Sequence, residues 1–300
     1  MSHIAIQADQ IKDLLIRACS EAGEVIMRYH DQRVNPSAGE TDINSGFLKD
    51  PIDPRTVVSK ADLESEQRIL DIFGTNLTCN FVAEESAPTL HSSERLTIIA
   101  DPLDGSRNFI HRTLGLFGIS IGIASVDQII AGAVYLPFFD ELLLTVRGTG
   151  VQLVHLKQRG PNEPIGISVV RETPVPVSLS RLVIARGTAE PTSLTEAPLA
   201  NLMARCNEVM NFACCTASLN SVVMGRIDGL VVRNQKCWDF AGGVPILREI
   251  GAHIGIWRSG WRDPISEADL ALSTKSDFFD IVATRSRTLF DEIVHFVTQA

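Results

Sequence analysis

Asp101-Pro102-Leu103-Asp104-Gly105-Ser106-Arg107-Asn108-Phe109 follows directly on the apolar run Arg95-Leu96-Thr97-Ile98-Ile99-Ala100. The run reads as a strand, and the nonapeptide carries two carboxylates off its end into a glycine turn and then a plausible first turn of helix. Hard divalent cations take oxygen ligands of the kind that Asp101 and Asp104 offer. A phosphate is favoured where a helix starts, because backbone N–H groups and the positive end of the helix dipole are presented there. Both requirements meet within nine residues, so the segment reads as a metal-assisted phosphate site.

Working outward, apolar positions Ile11, Leu14, Leu15, Ala18, Ala22, Val25 and Ile26 recur at helical spacing and predict a long amphipathic helix over Gln7 to His30. Asp31 to Thr56 is rich in Pro, Gly, Asp and Asn and reads as a long loop or hairpin. A second helix is expected over Ala61 to Phe73, stopped by Gly74. Asn80-Phe81-Val82-Ala83 reads as a short strand that ends in Glu84-Glu85. Phe117–Ser125, Ile129–Leu136 and Glu141–Val146 predict an antiparallel meander, closed by the Gly148-Thr149-Gly150 turn. Further on, strands at Leu182–Ala185 and Leu230–Val232 alternate with helices at Leu199–Cys206, Ala217–Met224 and Val244–Ile250. That alternation suggests an α/β half. Two subdomains are therefore expected, an N-terminal α+β part over residues 1–155 and a C-terminal α/β part over 156–300 that completes the site.

The bulk properties narrow the class. The chain has 300 residues, 45% of them hydrophobic, enough for one large domain or two closely packed ones. A net charge of −9 disfavours nucleic acid or an anionic membrane surface as the main partner. It also means that an anionic phosphate needs local neutralisation, which bound cations provide. The most apolar region, Phe117 to Phe139, is interrupted by Asp127 and Gln128 and does not read as a membrane span. The first residues lack the basic–apolar–small pattern of a secretory signal, so a cytoplasmic location is expected. None of the six cysteines forms a C-x-x-C pair, and buried reduced thiols are expected in place of a zinc site.

Four separated segments place acids at element ends: Val58-Ser59-Lys60-Ala61-Asp62, Ala83-Glu84-Glu85-Ser86, Asp101 to Phe109, and Lys236-Cys237-Trp238-Asp239-Phe240-Ala241-Gly242-Gly243. Each has a plain structural reading. Asp62 and Asp239 could be helix N-caps, Glu84-Glu85 a solvated pair, and Asp101 and Asp104 turn residues. Together and in this order they resemble the inositol monophosphatase family of lithium-sensitive, magnesium-dependent phosphomonoesterases. That family's motifs read V-T-x-A-D, G-E-E-S, D-P-[IL]-D-G-T-x-N-F and W-D-x-A-A-G. The likeness runs over roughly residues 10 to 255, and the third motif is the most specific of the four.

The resemblance implies a layered α-β-α-β-α sandwich of the inositol monophosphatase and fructose-1,6-bisphosphatase type, with the site between the two halves. It implies two to three Mg²⁺ ions, with Mn²⁺ an alternative occupant. Glu84, Asp101 and the Leu103 carbonyl would hold the first, and Asp101, Asp104 and Asp239 the second. Glu84 and Ser106 would hold the attacking water, with Asp62 helping to position it. Backbone N–H groups of Gly105 and Ser106 would meet the phosphoryl group, and Asp104 and Asp239 would also contact the substrate. It further implies a homodimer, inhibition by Li⁺ and a small phosphorylated metabolite as substrate.

Departures from the pattern bear on activity and substrate. Ser106 and Ser59 replace threonines and keep the hydroxyl, and Ala83 replaces a glycine. Pro245 allows a helix that begins near Val244 but not one already running from Asp239. Val232 stands where inositol-hydrolysing members carry a glutamate that reads substrate hydroxyls, and Ala213-Cys214-Cys215-Thr216 stands where they carry G-S-A-A. His111 and Trp238 have the structural reading as the better one, and Lys236 and Arg233 read as solvated charges. The function expected is hydrolysis of inositol 1-phosphate. 3′-Phosphoadenosine 5′-phosphate, fructose 1,6-bisphosphate and histidinol phosphate compete as substrates, and a non-catalytic metal- or phosphate-binding regulator is the reading from another class.

Overall fold

The computed structural model of the chain describes residues 8–34, 47–50, 53–91, 94–126, 128–157, 165–167, 174–186, 197–258, 261, 264–271, 273 and 276–298. In chain order the elements are α1 (Ala8–Val34), β1 (Phe47–Asp50), β2 (Asp53–Val58), α2 (Lys60–Asn76), β3 (Asn80–Ala83), β4 (Leu96–Asp104) and α3 (Ser106–His111). The meander continues as β5 (Gly118–Ser125), β6 (Gln128–Leu136), β7 (Glu141–Val146), β8 (Val151–Val154) and β9 (Ile165–Ile167). Then come β10 (Arg181–Arg186), α4 (Ala197–Met203), β11 (Glu208–Met210), α5 (Cys215–Val223), β12 (Gly229–Gln235), α6 (Cys237–Ala241), α7 (Gly243–Glu249), β13 (His253–Arg258), α8 (Glu267–Ala271), β14 (Phe279–Thr284) and α9 (Arg287–Thr298). Of the segment expected as a loop or hairpin, residues 31–34 continue α1, β1 and β2 pair antiparallel, and residues 35–46 and 51–52 lie outside the described residues.

Two sheets organise the chain. A seven-stranded sheet runs in sequence order from β3 to β9, parallel between β3 and β4 and antiparallel thereafter. A five-stranded sheet has the order β11-β10-β12-β14-β13. The first extends through Ile167 and the second begins at Arg181.

Side-chain alternation along the strands builds three large apolar cores between five layers, with a small fourth cluster of Leu136, Cys214 and Ala217. On β4, Ile98 and Ala100 face α1 and α2, whereas Ile99 faces the opposite core. On β12, Leu230 and Val232 face α5, α6 and α7, whereas Val231 faces the core formed with α4 and α9. Hence α1 and α2 cover one sheet, α5 to α7 fill the space between sheets, and α4 and α9 cover the far side of the second. This is the layered α-β-α-β-α sandwich.

Glycines let the middle layer come close to the first sheet. A Cβ on Gly132 would collide with the Gly242 carbonyl and with Pro245, and one on Gly122 would lie 2.8 Å from the Ala241 Cβ. The Gly242 N–H donates to Ser120 Oγ at 3.2 Å. Charged ties reinforce the contact. The Glu249 carboxylate accepts from the N–H groups of Gly148 and Gly150, and Arg226 pairs with Glu141. Glu267 accepts from the Ile129 N–H and pairs with Arg248. These contacts hold α6, and with it Asp239, against β4 and β5, and α7 against β6.

Candidate active site

The parallel pairing of β3 with β4 sets Ala83 opposite Ala100, so Glu84 and Asp101 leave neighbouring strand ends at one level. The Glu84 N–H donates to the Ala100 carbonyl at 3.2 Å. Between Asp101 and Asp104 the β4–β5 register shifts. The bulge falls at Pro102-Leu103, where proline has no N–H to give to a ladder. The Leu103 N–H turns back to Asp101 Oδ1 at 2.9 Å. Gly105 follows with φ of 82°, and a Cβ there would lie 2.9 Å from the Leu116 carbonyl. Only glycine takes that conformation and that space together, and α3 starts at the next residue.

Asp62 is fully buried one turn into α2. Its Oδ2 accepts from the Ser59 N–H at 2.8 Å and the Ser59 hydroxyl at 2.6 Å, and its Oδ1 lies 2.7 Å from Ser106 Oγ. Ser106 Oγ is also 2.9 Å from the Leu103 carbonyl. Asp62 and Asp239 are thus not N-caps. Each sits three residues in and accepts the backbone N–H of the residue that opens its helix, Ser59 in one case and Lys236 in the other.

Asp104 Oδ2 accepts from the Thr216 N–H at 2.5 Å and from the Cys214 thiol at 3.2 Å. The same sulfur caps α5 by accepting from the Ala217 N–H. Ala213, at φ of 49°, holds a left-handed conformation where the family pattern has glycine. Asn108 of the nonapeptide ties α3 to this loop, donating to the carbonyls of Leu116 and Phe212 at 2.7 Å each.

The electrostatics show that these segments converge. Burial, then Glu84, Asp104 and Asp239, hold the Asp101 pKa well above the ordinary range. Burial, then Asp104 and Glu84, do the same to Asp239. Asp104 is pushed up to about 6 by burial, although the Thr216 and Cys214 donors pull it down. Asp62 is pushed up to about 6 by burial, against its bonds to Ser59 and Ser106. Acids crowded in this way lack the counter-charge that a divalent cation brings, and their oxygens are the donors Mg²⁺ prefers. Among the described residues no three His, Cys, Asp or Glu side chains stand as a closed metal-holding group, so the fit rests on the chemistry and charge of this donor set.

Glu84, Asp101, Leu103, Asp104, Gly105, Ser106 and Asp62 come from three motif segments linked by the bonds above, and Asp239 enters from the middle layer. Other expectations change. Arg233 is not a solvated charge: it is 1% exposed and pairs with buried Asp280. Lys236 places Nζ 3.4 Å from the Phe278 ring centre and donates to the Asp277 carbonyl. Val232 is buried in the middle core, Trp238 is buried as expected, and His111 is exposed. All six cysteines are free, five buried and Cys206 partly so. The sequence reading passed over Glu66, 3% exposed, whose Oε2 accepts the Glu85 N–H at 2.7 Å. Its position four residues past Asp62, on the same helix face, is the signal that could have found it.

The family model described as the inositol monophosphatase family matches residues 7–287. An inositol-1-monophosphatase of Mesorhizobium japonicum is 30% identical over 243 residues, 81% of this chain and 84% of that protein. The Nus factor SuhB of Pasteurella multocida is 28% identical over 249 residues, 83% of this chain and 85% of that protein. Among solved structures, the extragenic suppressor protein suhB of Bartonella henselae aligns with a TM-score of 0.75 at 23% identity, covering 97% of this chain and 99% of that one.

Proposed function

The chain belongs to the inositol monophosphatase family and is a phosphoric monoester hydrolase, and from that premise we propose that it hydrolyses a small phosphate ester with Mg²⁺, inositol 1-phosphate first among the candidates. The observation that carries the reading is the convergence of buried Asp101, Asp104 and Asp239 with Glu84, each of the three aspartates raised in pKa by burial and by neighbouring acids.

In this reading Glu84, Asp101 and the Leu103 carbonyl hold one ion, and Asp101, Asp104 and Asp239 a second. Bound Mg²⁺ supplies neutralising charge for the phosphoryl group and a lowered pKa for water. Glu84, Ser106 and Asp62 orient the attacking water. Asp62, buried and bonded to Ser106, would help position that water. The Gly105 turn, which a Cβ would spoil by striking the Leu116 carbonyl, is the segment whose Gly105 and Ser106 N–H groups would meet the phosphoryl oxygens. Asp104 and Asp239 face the remainder of the substrate, and a pair of copies of the chain is the expected assembly.

The named inositol-1-monophosphatase relative favours inositol 1-phosphate. Val232, buried in the middle core where a hydroxyl-reading glutamate would stand, favours 3′-phosphoadenosine 5′-phosphate, fructose 1,6-bisphosphate or histidinol phosphate. A second reading, binding without turnover, is favoured by the relatives named Nus factor. Phosphate release from these four esters in Mg²⁺, repeated in EDTA and in Li⁺, tests the proposal. EDTA-sensitive turnover of one ester names the reaction. Folded, Mg²⁺-supplied protein inert on all four leaves an ester outside this set or the binding reading.

A further inference from the structure

Helix α2 turns a polar stripe inward. Ser59, Asp62 and Ser65 are fully buried and Glu66 is 3% exposed, although helix positions facing a core are ordinarily apolar. Each of the last three reaches a different part of the site. Asp62 meets Ser106 at 2.7 Å. Ser65 Oγ lies 3.4 Å from the Pro102 carbonyl, inside the bulge between Asp101 and Asp104. Glu66 Oε2 accepts the Glu85 N–H at 2.7 Å. A carboxylate is costly to bury, and leucine would fill such a place with less loss of hydration. The contact that Glu66 makes in exchange is to the backbone one residue beyond Glu84. The Glu84 N–H is itself bonded to the Ala100 carbonyl, so the chain is fastened immediately before and immediately after the Glu84 carboxylate.

We propose that Glu66 is a positioning residue that acts through Glu84, its acceptor oxygen fixing the Glu84-Glu85 turn against Asp101 so that Glu84 is held ready for the cation. The proposal rests on the Mg²⁺-dependent reading of the site. What matters is the length of the side chain and the acceptor at its end, since the partner is a neutral N–H. Glu66→Gln keeps length and acceptor. Glu66→Asp keeps the charge but falls one carbon short of Glu85.

The test compares wild type, Glu66→Gln and Glu66→Asp by two readouts. One is the Mg²⁺ concentration for half-maximal phosphate release. The other is the rise in Tm that Mg²⁺ alone produces, which needs no substrate. Glu66→Asp is expected to raise half-saturation about tenfold and to lose most of the Mg²⁺-induced rise, with the KM for the ester at saturating Mg²⁺ unchanged. Glu66→Gln is expected to follow wild type in both. The reverse order, with the amide impaired and the shorter acid normal, overturns the proposal, as does equal behaviour of all three. A wild type that neither turns over nor responds to Mg²⁺ contradicts the underlying reading instead.

Discussion

Asp104 Oδ2 shows how much of the site is decided one atom at a time. It takes the Thr216 N–H and the Cys214 thiol, two donors on one oxygen. The thiol is held protonated, since burial and then Asp104 push its pKa well above the usual value. It therefore serves as a donor and not as a nucleophile. Cys214→Ser keeps a donor and is expected to keep activity. Cys214→Val keeps bulk without a donor and should lower kcat/KM by roughly fivefold, the worth of one modest hydrogen bond. Steady-state rates on the preferred ester check this, and equal rates for both variants would remove the thiol from the account. At this scale the acids were legible because motif order links segments that are far apart in sequence. Glu66 and Arg233 were not: an acid among the polar Glu64-Ser65-Glu66-Gln67-Arg68, like a base at the end of an apolar strand, reads as surface until its partner, a backbone N–H or Asp280, is placed beside it.

At the scale of elements, periodicity revealed what faces a core on one side. The β5-β6-β7 meander and α1 follow the expected ranges to within a few residues, and the break at Gly242 between α6 and α7 matches what Pro245 permits. Strand β14 is buried on both faces, and its buried Asp280 interrupts the apolar run that would have marked it. Strand β13 carries a histidine, a glycine and an arginine among its apolar residues, which obscures the alternation. The last helix, α9, has Leu289, Ile293 and Val297 buried at four-residue spacing, a signal that the expected elements, which end at Ile250, did not include. The closeness of α6 to β5 and of α7 to β6 was not legible, since glycines at Gly122, Gly132 and Gly242 carry no hydrophobic signal. Their meaning appears only when two backbones meet.

The whole molecule couples its site to its stability. No described helix is long and apolar enough to cross a membrane. Asp62 and Asp104, at about 6, bind protons more tightly folded than unfolded. Their contribution to stability is complete below the unfolded value of 3.8 and is lost as pH rises through about 6, and Asp101 and Asp239 act in the same direction. A cation that binds the deprotonated acids restores what is lost. Mg²⁺ is therefore expected to raise Tm by several degrees at about pH 7.5 and by much less at about pH 5, read by thermal melts with Mg²⁺ and with EDTA. An equal rise at both would separate metal binding from these carboxylates.

Phosphate release in Mg²⁺ by wild type and Asp104→Asn, side by side on the preferred ester, tests the central claim most directly. The amide removes one charge from the buried cluster while keeping the shape, so the variant should melt no lower than wild type in EDTA. Its turnover should fall about a thousandfold, the scale of losing a preorganised electrostatic contact to the reacting group. Undiminished turnover in a folded Asp104→Asn protein would contradict the site described for this chain.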